Sequence, residues 1–339
     1  MSVLVSVIIP SYNRCQMLLD SMESVFQQTH RPIELIAVDD GSTDGTAELV
    51  QAWISDRTHD DKFTVLYVFQ ENAGAPAARN LGFRRSAGQY IQYLDSDDLL
   101  HPDKIAAAIQ IMARNASVGL VYPLMQVVDL RTGARRLFEG AELEARPTPS
   151  EIALRMSQTM VPVFRRRVIE AAGGWDEDLL ALQDWEFFAR AMLHVEKAVH
   201  IPRAQCTMRV HGGERVSRSS AKVLKGERSR LRAIRSVIKT VKSSASPKPA
   251  AKRRLIRLYA ACGLAICQLD SGAGARAALR HDPPRGVQEL GLWMIRAGLL
   301  GASFLPKPAI TKLRSGFHIL RARAKSAGHE RERVQQPSL

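Results

Sequence analysis

The sequence has few cysteines, and no two of them form a Cys-x-x-Cys pair. The 339 residues include Cys15, Cys206, Cys262 and Cys267. Neither a disulfide framework nor a structural zinc site is therefore indicated. The first ten residues lack the basic start and the small-residue cleavage site of a secretory signal peptide. We expect a protein of the reducing cytosol.

Two common ligand-binding signatures are also missing. The first apolar run ends in Ser11-Tyr12-Asn13-Arg14, where a dinucleotide oxidoreductase would have Gly-x-Gly-x-x-Gly. The basic end of the chain has no recognised DNA- or RNA-binding motif and no interleaved aromatic residues. Specific nucleic-acid binding is therefore not expected.

Charge is distributed unevenly along the chain. Residues 1–214 contain 21 Lys+Arg and 28 Asp+Glu, whereas residues 215–339 contain 27 and 6, and the net charge is +14. An acidic first part and a strongly basic second part indicate two structurally different segments of the chain. We predict a folded domain over 1–214 and a basic helical tail over 215–339, with a Ser/Pro/Ala/Lys linker near 243–252.

Apolar runs alternate with helical segments along the first 115 residues. Continuous runs rich in branched residues, typical of strands buried on both faces, occur at 3–9, 35–38, 63–69 and 90–94. Helices are predicted at 16–28, 46–54, 75–84 and 103–113. The alternation predicts an α/β fold with a mainly parallel sheet flanked by helices. Ligands of such sheets bind beyond the carboxyl ends of the strands.

The pattern is less regular beyond residue 115. Further strands are predicted at 118–122, 126–129 and 205–210, and further helices at 183–193, 255–269 and 287–304.

The strongest chemical signal is Asp95-Ser96-Asp97-Asp98, directly after an apolar strand. Crowded carboxylates raise one another's pKa values unless a cation intervenes. Mg²⁺ typically takes one or two carboxylates together with phosphate oxygens. The cluster therefore suits a metal–diphosphate clamp, although a solvated turn that caps the next helix has the same composition.

Two other strand ends carry polar residues that would lie nearby. Tyr12 follows the first strand and can stack on a nucleobase, while Asp39 and Asp40 end the second and can accept hydrogen bonds from a base or ribose. Loop and helix-capping chemistry explains each of them equally simply when it is taken alone. An aspartyl-nucleophile phosphatase would use Asp-x-Asp after a strand, but it would leave Asp39-Asp40 and Gln183-Asp184 unexplained.

Together these segments resemble the family 2 glycosyltransferases, which have the GT-A fold. The matching stretches are VSVIIPSYNR (5–14), ELIAVDDGSTDGT (34–46), NAGAPAARNLG (72–82), YIQYLDSDDLLHPDKI (90–105) and GGWDEDLLALQDWEFFAR (173–190). The resemblance covers about residues 4–215. It implies a GT-A-type, Rossmann-like fold, a nucleotide-diphosphate sugar donor, Mn²⁺ or Mg²⁺, and inversion at the anomeric carbon.

The resemblance also implies roles for individual residues. It places five around the nucleotide: Pro10, Tyr12, Asp40, Arg79 and Asp95. Asp97 would bind the metal on the diphosphate, with His211 as a second ligand.

The resemblance implies that Asp184 is the catalytic base. The family usually has Glu-Asp at this point, whereas this chain has Gln183-Asp184. Loss of the neighbouring anion is expected to lower the pKa of Asp184.

The prediction is therefore a cytoplasmic glycosyltransferase of cell-envelope polysaccharide or glycoconjugate synthesis. Its donor-binding part would be about 1–115 and its acceptor part about 116–214, and the acceptor would be a glycan, a lipid-linked sugar or another hydroxyl compound. The alternative is a nucleic-acid- or anionic-surface-binding protein that acts through its basic tail and has a non-catalytic nucleotide-binding domain.

The tail has an apolar stretch at 290–305 that contains Arg296 and Trp293. As a helix its 16 residues would be about 24 Å long, less than a hydrocarbon core of about 30 Å. A membrane span is therefore not expected. Two alternatives remain: a helix lying at an anionic membrane surface, on the inner face, or a helical hairpin packed on the catalytic domain.

Overall fold

The structure is a computed structural model, described here for residues 3–57, 61–138, 158–212 and 223–243. The strands in these ranges are β1 (Val5–Ser11), β2 (Ile33–Asp39), β3 (Phe63–Phe69), β4 (Tyr90–Tyr93), β5 (Leu99–Leu100), β6 (Val118–Asp129), β7 (Arg135–Phe138), β8 (Val163–Arg165) and β9 (Lys197–Val210). The helices are α1 (Cys15–Phe26), α2 (Thr46–Arg57), α3 (Ala75–Arg85), α4 (Lys104–Arg114), α5 (Arg166–Ala172), α6 (Gln183–Met192) and α7 (Val223–Ser243).

The strands form a mixed sheet in the order β3-β2-β1-β4-β8-β6-β9-β5, with β7 paired to β6. Strands β3, β2, β1 and β4 are parallel to one another, and so is the long β6–β9 pair. Strand β8 is antiparallel to both of its neighbours, β4 and β6. The predicted α/β fold with a mainly parallel sheet is confirmed.

The strand order explains why three polar strand ends meet. The chain runs outward from β1 to β2 and β3, and then returns to place β4 on the other side of β1. This reversal opens a crevice at the carboxyl ends of the strands, where doubly wound folds bind ligands. The ends of β1, β2 and β4 lead into Tyr12, Asp40 and Asp95 respectively.

Alternate residues of β1 enter two apolar clusters, one on each face of the sheet. Val5, Val7 and Ile9 belong to one, whereas Ile8 belongs to the other, together with aromatic residues of α6. Helix α3 lies very close to β1, because a Cβ at Gly82 would be 2.4 Å from Cγ2 of Ile8. Any side chain at position 82 would push α3 away from the sheet.

The second half of the sheet differs from the prediction. The strands predicted at 118–122 and 126–129 are one strand, β6, and the strand predicted at 205–210 is the 14-residue β9. Pro123 interrupts the sequence pattern of β6, but shifts in the β6–β9 register on either side of Leu124 accommodate it within the ladder. The sequence analysis also missed β5, β7, β8 and α5, which are all short.

The basic tail is described only in α7, whose 21 residues include seven Lys or Arg and one Glu. The chain divides into two compact units, and α7 up to Lys239 belongs to the second of them. The helices predicted at 255–269 and 287–304, the linker beyond Ser243 and the boundary at 214 lie outside the described residues. No helix within the described ranges is long and apolar enough to cross a membrane.

A lysine is buried at the start of α4. The side chain of Lys104 is fully buried and its Nζ donates a hydrogen bond to Oε1 of Gln92. Burial lowers the pKa of Lys104 from 10.5 to about 8, although the charge of the Cys206 thiolate would oppose this. The unfolded chain therefore binds this proton more tightly than the folded chain does.

We predict that Lys104 makes stability rise with pH in the window between its two pKa values, about 8 folded and 10.5 unfolded. Lys104→Met removes this contribution. The melting temperature of the wild type, minus that of the variant, should therefore increase between pH 7 and pH 10 in paired thermal melts. A difference that is constant across this range would contradict the prediction.

Candidate active site

The acidic loop, Asp95–Asp98, is held from two sides through its backbone. Oγ of Ser21 in α1 lies within hydrogen-bond distance of two carbonyl oxygens of the loop, 2.9 Å from that of Ser96 and 2.8 Å from that of Asp98. Arg209 of β9 donates a hydrogen bond through Nε to the backbone carbonyl of Asp97 at 2.6 Å. Elements that are distant in sequence therefore fix the loop while leaving its carboxylates available for other partners.

Asp98 is the most buried carboxylate of this loop. It is 4% exposed and accepts a hydrogen bond from the backbone N–H of Arg209 at 3.0 Å. Burial raises the pKa of Asp98 well above its ordinary value, and the charges of Asp97 and Asp95 raise it further. This burial and its backbone partner suit an interior structural role for Asp98.

Asp97 has the opposite character. Its Oδ2 forms an ion pair with Nη1 of Arg14 and lies 3.0 Å from Nε2 of His211. Burial alone would raise the pKa of Asp97, but the charge of Arg14 and the hydrogen bond from His211 outweigh it and lower the pKa. The neighbours of Asp97 thus favour its ionised form.

Asp95 is joined to the helix that carries the candidate base. Oδ1 of Asp95 accepts a hydrogen bond from Nη2 of Arg79 at 2.7 Å, and Nη1 of Arg79 lies 3.5 Å from Oε1 of Gln183. The Arg79 guanidinium stacks over Trp175 at 4.4 Å from the ring centre. Asn80 holds the backbone of Trp175 on both sides, at 2.8 and 2.9 Å. Arg79 is therefore a buried bridge rather than a surface ion pair.

Asp184 is the second residue of α6 and not its N-cap. The N-cap is Leu182, whose φ of 59° is in the left-handed region that non-glycine residues seldom adopt. The half-buried carboxylate of Asp184 accepts the N–H of Trp185 at 2.9 Å.

The pKa of Asp184 is raised, although the lack of a neighbouring glutamate was expected to act in the opposite direction. Burial raises it to about 6, and the charge of Asp95 adds to the rise, whereas the N–H of Trp185 and the charge of Arg79 oppose it. Replacement of the family's glutamate by Gln183 removes one anion, but desolvation is the larger effect here.

The residues expected around the nucleotide differ in how exposed they are. Tyr12 is 49% exposed at the end of β1, so its ring is accessible for stacking, whereas Pro10 lies buried within the strand. The Asp40 carboxylate is 4% exposed and accepts hydrogen bonds from Gln70, Ala73 and Gly74 at 2.6 to 2.8 Å. Asp40 thus fixes the loop that leads into α3.

The two expected metal ligands lie together. Asp97 and His211 approach within 3.0 Å, although 114 residues separate them along the chain. No group of three or more His, Cys, Asp or Glu side chains in the described ranges is placed to hold a metal. A charged carboxylate and one imidazole fit a divalent cation that takes its other ligands from phosphate and water.

Sequence reasoning missed two cationic residues of this site. Arg14 contacts Asp97, and Arg209 contacts both the acidic loop and Asp20, whose Oδ2 is 2.6 Å from Nη1 of Arg209. Arg14 could have been found, because it stands in the strand-end segment VSVIIPSYNR, opposite the predicted acidic loop. Arg209 could not, since its strand was predicted but not the position of that strand in the sheet.

A comparison with known families gives a match to the sequence pattern of glycosyl transferase family 2 over residues 6–169. Residues 6–169, just under half of the chain, have the sequence pattern of this family, in agreement with the resemblance seen in the sequence. The match spans the candidate nucleotide and metal residues from Pro10 to Asp97. Asp184 and His211 lie beyond it.

The chain is also similar to individual curated proteins. It is 42% identical over 109 residues to the putative teichuronic acid biosynthesis glycosyltransferase TuaG of Bacillus subtilis, which is 32% of this chain and 42% of TuaG. The chain thus spans less than half the length of its curated relatives, 42% here and 17% in another.

Two solved structures share the fold. Staphylococcus aureus TarS 1-349 in complex with UDP-GlcNAc has a TM-score of 0.61 at 18% identity, over 95% of this chain and 88% of that one. The mannosyltransferase PcManGT of Pyrobaculum calidifontis, with GDP-Man and Mn²⁺, has a TM-score of 0.54 at 21% identity, over 89% and 86%. The expected GT-A-type fold is confirmed.

We predict that Asp184 titrates near pH 6, well above the ordinary 3.8 of an aspartate. Gln183→Glu should raise this pKa further, because it adds an anion beside the carboxylate. Carboxyl ¹³C NMR measures both values, and Asp184→Asn identifies the signal. Gln51→Glu, an exposed change of the same charge on α2, should leave the Asp184 pKa unchanged. A wild-type pKa of 4 or below would contradict the prediction.

Proposed function

We propose that this protein transfers a sugar from a nucleotide-diphosphate sugar to an acceptor hydroxyl, with inversion at the anomeric carbon. The observation that carries the proposal is the pair of carboxylates with opposite properties at the end of the sheet. Asp184 has its pKa raised to about 6, while Asp97 has its pKa lowered beside Arg14 and His211. A transferase of this kind needs one group that accepts a proton and one that remains an anion.

The proposed base is Asp184. With a pKa of about 6 it is mostly ionised at pH 7, yet it is more basic than an ordinary carboxylate. A general base works best when its pKa lies near the working pH. Asp184 would take the proton of the acceptor hydroxyl as the oxygen attacks the anomeric carbon. Attack opposite the leaving diphosphate inverts the configuration in one displacement, so no carboxylate nucleophile is needed, and because a metal would neutralise the leaving group, no carboxylic acid is needed to protonate it.

Asp97 and His211 are the proposed metal ligands. A bound Mn²⁺ or Mg²⁺ would act as a Lewis acid that neutralises the negative charge of the leaving diphosphate. The lowered pKa of Asp97 supports this role, because a carboxylate must be ionised to bind a metal. Mn²⁺ is present in the PcManGT structure, which has the same fold.

Donor binding is proposed for the first part of the domain, residues 1–115. Tyr12 would stack on the base through its exposed ring. Pro10 and Asp40 would shape the base pocket from the ends of β1 and β2, and Arg79 would position Asp95 toward the ribose. UDP-GlcNAc and GDP-Man in the two structural neighbours support a nucleotide-sugar donor without selecting between bases.

The acceptor is proposed to be a hydroxyl of a glycan or lipid-linked precursor, bound by residues 116–214. The name of the Bacillus subtilis relative, a putative teichuronic acid biosynthesis glycosyltransferase, supports a role in the cell envelope. The proposal places the reaction in the cytoplasm, where nucleotide sugars would be supplied.

Two substitutions should separate donor binding from catalysis. Asp97→Asn should abolish transfer and weaken metal-dependent donor binding, because the diphosphate loses its charged link to the protein.

Asp184→Asn should reduce turnover by about 100-fold or more, while donor affinity is retained, since the base faces the acceptor. Transfer from UDP-, GDP- and dTDP-sugars with Mn²⁺ or Mg²⁺, together with donor calorimetry, measures both effects. Full activity in EDTA would exclude the metal role, and equal loss of donor affinity in Asp184→Asn would make that residue structural.

We also propose that the basic tail brings the enzyme to the inner face of an anionic membrane. Helix α7 has seven basic residues and one acidic residue, and residues 215–339 as a whole have 27 and 6. Each Lys or Arg close to an anionic surface contributes about 1 kcal/mol of attraction. The packed helical hairpin is the competing arrangement.

Sedimentation with vesicles tests the membrane proposal. Binding should increase with the anionic lipid content, decrease with salt, and be lost in a chain that ends at residue 214. Absence of binding to strongly anionic vesicles at low salt would leave the packed hairpin.

A further inference from the structure

The end of the β6–β7 hairpin, residues 130–137, projects from the domain, and we call it the hairpin tip. All eight of its residues are exposed, and none of them is acidic. Three are arginines and two are leucines: Arg131, Arg135, Arg136, Leu130 and Leu137. Each leucine is 49% exposed. Arg131 lies 3.4 Å from Asp129 at the base of the tip, whereas Arg135 and Arg136 have no anionic partner among the described residues. The tip therefore combines positive charge with apolar surface.

The backbone of the hairpin tip is held by its own hydrogen bonds. The N–H of Asp129 donates to the carbonyl of Ala134 at 2.9 Å, and its carbonyl accepts the N–H of Gly133 at 2.8 Å. The Asp129 carboxylate accepts the N–H of Arg131 at 2.9 Å. Gly133 has a φ of 69°, in the left-handed region that glycine adopts readily. The turn is thus formed without a partner, so docking on it costs little conformational entropy.

The hairpin tip lies beside a residue of the candidate metal site. The N–H of Leu130 donates to the carbonyl of Val210 at 2.8 Å, and His211 is the next residue of the chain. A Cβ at Gly212 would be 3.8 Å from Cδ of Arg131. A partner that docks on the tip is therefore held close to the end of β9 and to His211.

The two kinds of side chain at the tip select the kind of partner. A hydrated polyanion, such as an acidic polysaccharide, would pair with the arginines and leave both leucines in water. An anionic membrane surface satisfies both, because leucine enters the boundary of the acyl chains while the arginine head remains at the level of the headgroups. Five such residues are too few for stable anchoring, which takes a second signal.

We propose that the hairpin tip is a second membrane contact, which turns the His211 side of the domain toward an anionic lipid surface. The basic tail would retain the protein at the membrane, and the tip would set its orientation there. The inference rests on the membrane role proposed for the tail. It adds a named contact in the catalytic domain, and with it the side of the domain that faces the lipid.

Removal of charge from the tip tests the electrostatic part. The full chain with Arg135→Gln and Arg136→Gln should bind vesicles of phosphatidylglycerol and phosphatidylcholine in equal parts about tenfold more weakly at low salt. Arg84→Gln with Arg85→Gln removes two adjacent exposed arginines from α3 and should bind as the wild type does. Equal losses in the two double variants would show a general effect of net charge and would overturn the proposal.

Acidic residues follow the tip from Glu139 onward, outside the described residues. If they neutralised the tip, the variant with Arg135→Gln and Arg136→Gln would bind as tightly as the wild type. That result would also overturn the proposal.

The leucines distinguish a membrane from a soluble polyanion. Leu130→Ser with Leu137→Ser should weaken vesicle binding by about fivefold or more, because apolar surface is no longer buried. Leu49→Ser with Leu66→Ser, at two other exposed leucines, should leave it unchanged. Full vesicle binding by the tip variant would mean that the leucines do not enter the membrane, and the arginines would then suit a soluble polyanion instead.

A tryptophan placed in the turn reports contact on an otherwise native tip. Thr132→Trp should add fluorescence that brominated lipid quenches, whereas the fluorescence added by Gln51→Trp, at an exposed position of α2, should not be quenched. All of these positions are exposed, so the melting temperatures should match that of the wild type. Absence of the added quenching at position 132 would overturn the proposal whatever the binding of the other variants.

The wild type separates this inference from the role of the tail. Vesicle binding by the wild type that none of the tip variants changes would leave the tail proposal standing and exclude the tip. If the wild type does not bind strongly anionic vesicles at low salt, the tail proposal is wrong and the tip proposal fails with it. Neither result bears on the transfer reaction proposed for Asp97 and Asp184.

Discussion

Compensation of the charge on the acidic loop is the constraint on which the rest of this site depends. Three carboxylates within four residues at the end of a buried strand cannot all remain ionised without nearby positive charge. The compensating charges come from three different parts of the chain and are Arg14, Arg79 and Arg209, and His211 adds a hydrogen bond to Asp97. Each carboxylate has a different set of these neighbours, and so each has a different chemical character.

Because their neighbours differ, the three aspartates of the acidic loop have different properties. Asp98 is buried against a backbone N–H and has its pKa raised, whereas Asp97 contacts Arg14 and His211 and has its pKa lowered. Asp95 is held by Arg79, which also lies beside Gln183 at the start of α6. The acidic loop and the candidate base are therefore electrostatically linked through one buried arginine.

The sheet supplies the positions for this arrangement. The reversal of strand order at β1 brings the acidic loop and Tyr12 to one crevice. Strand β9, from the far part of the sheet, contributes Arg209 and leads to His211. Close packing at Gly82 sets the distance between α3 and β1, and thereby where Arg79 stands. A substitution at Gly82 would therefore displace Arg79 in the site.

The sequence by itself determined which strand ends carry chemistry, because continuous apolar runs and the polar residues that follow them are local features. It gave the α/β order, the acidic loop, and Asp184 as a residue of interest. It did not predict that β6 is one strand, since Pro123 interrupts the local pattern and only pairing with β9 restores the ladder. The tertiary structure decided which carboxylate has its pKa lowered, because Arg14 and His211 are 83 and 114 residues from Asp97 along the chain. It also decided the pKa of Asp184, because desolvation depends on what the fold packs around a carboxylate and outweighs the effect of its neighbour in sequence.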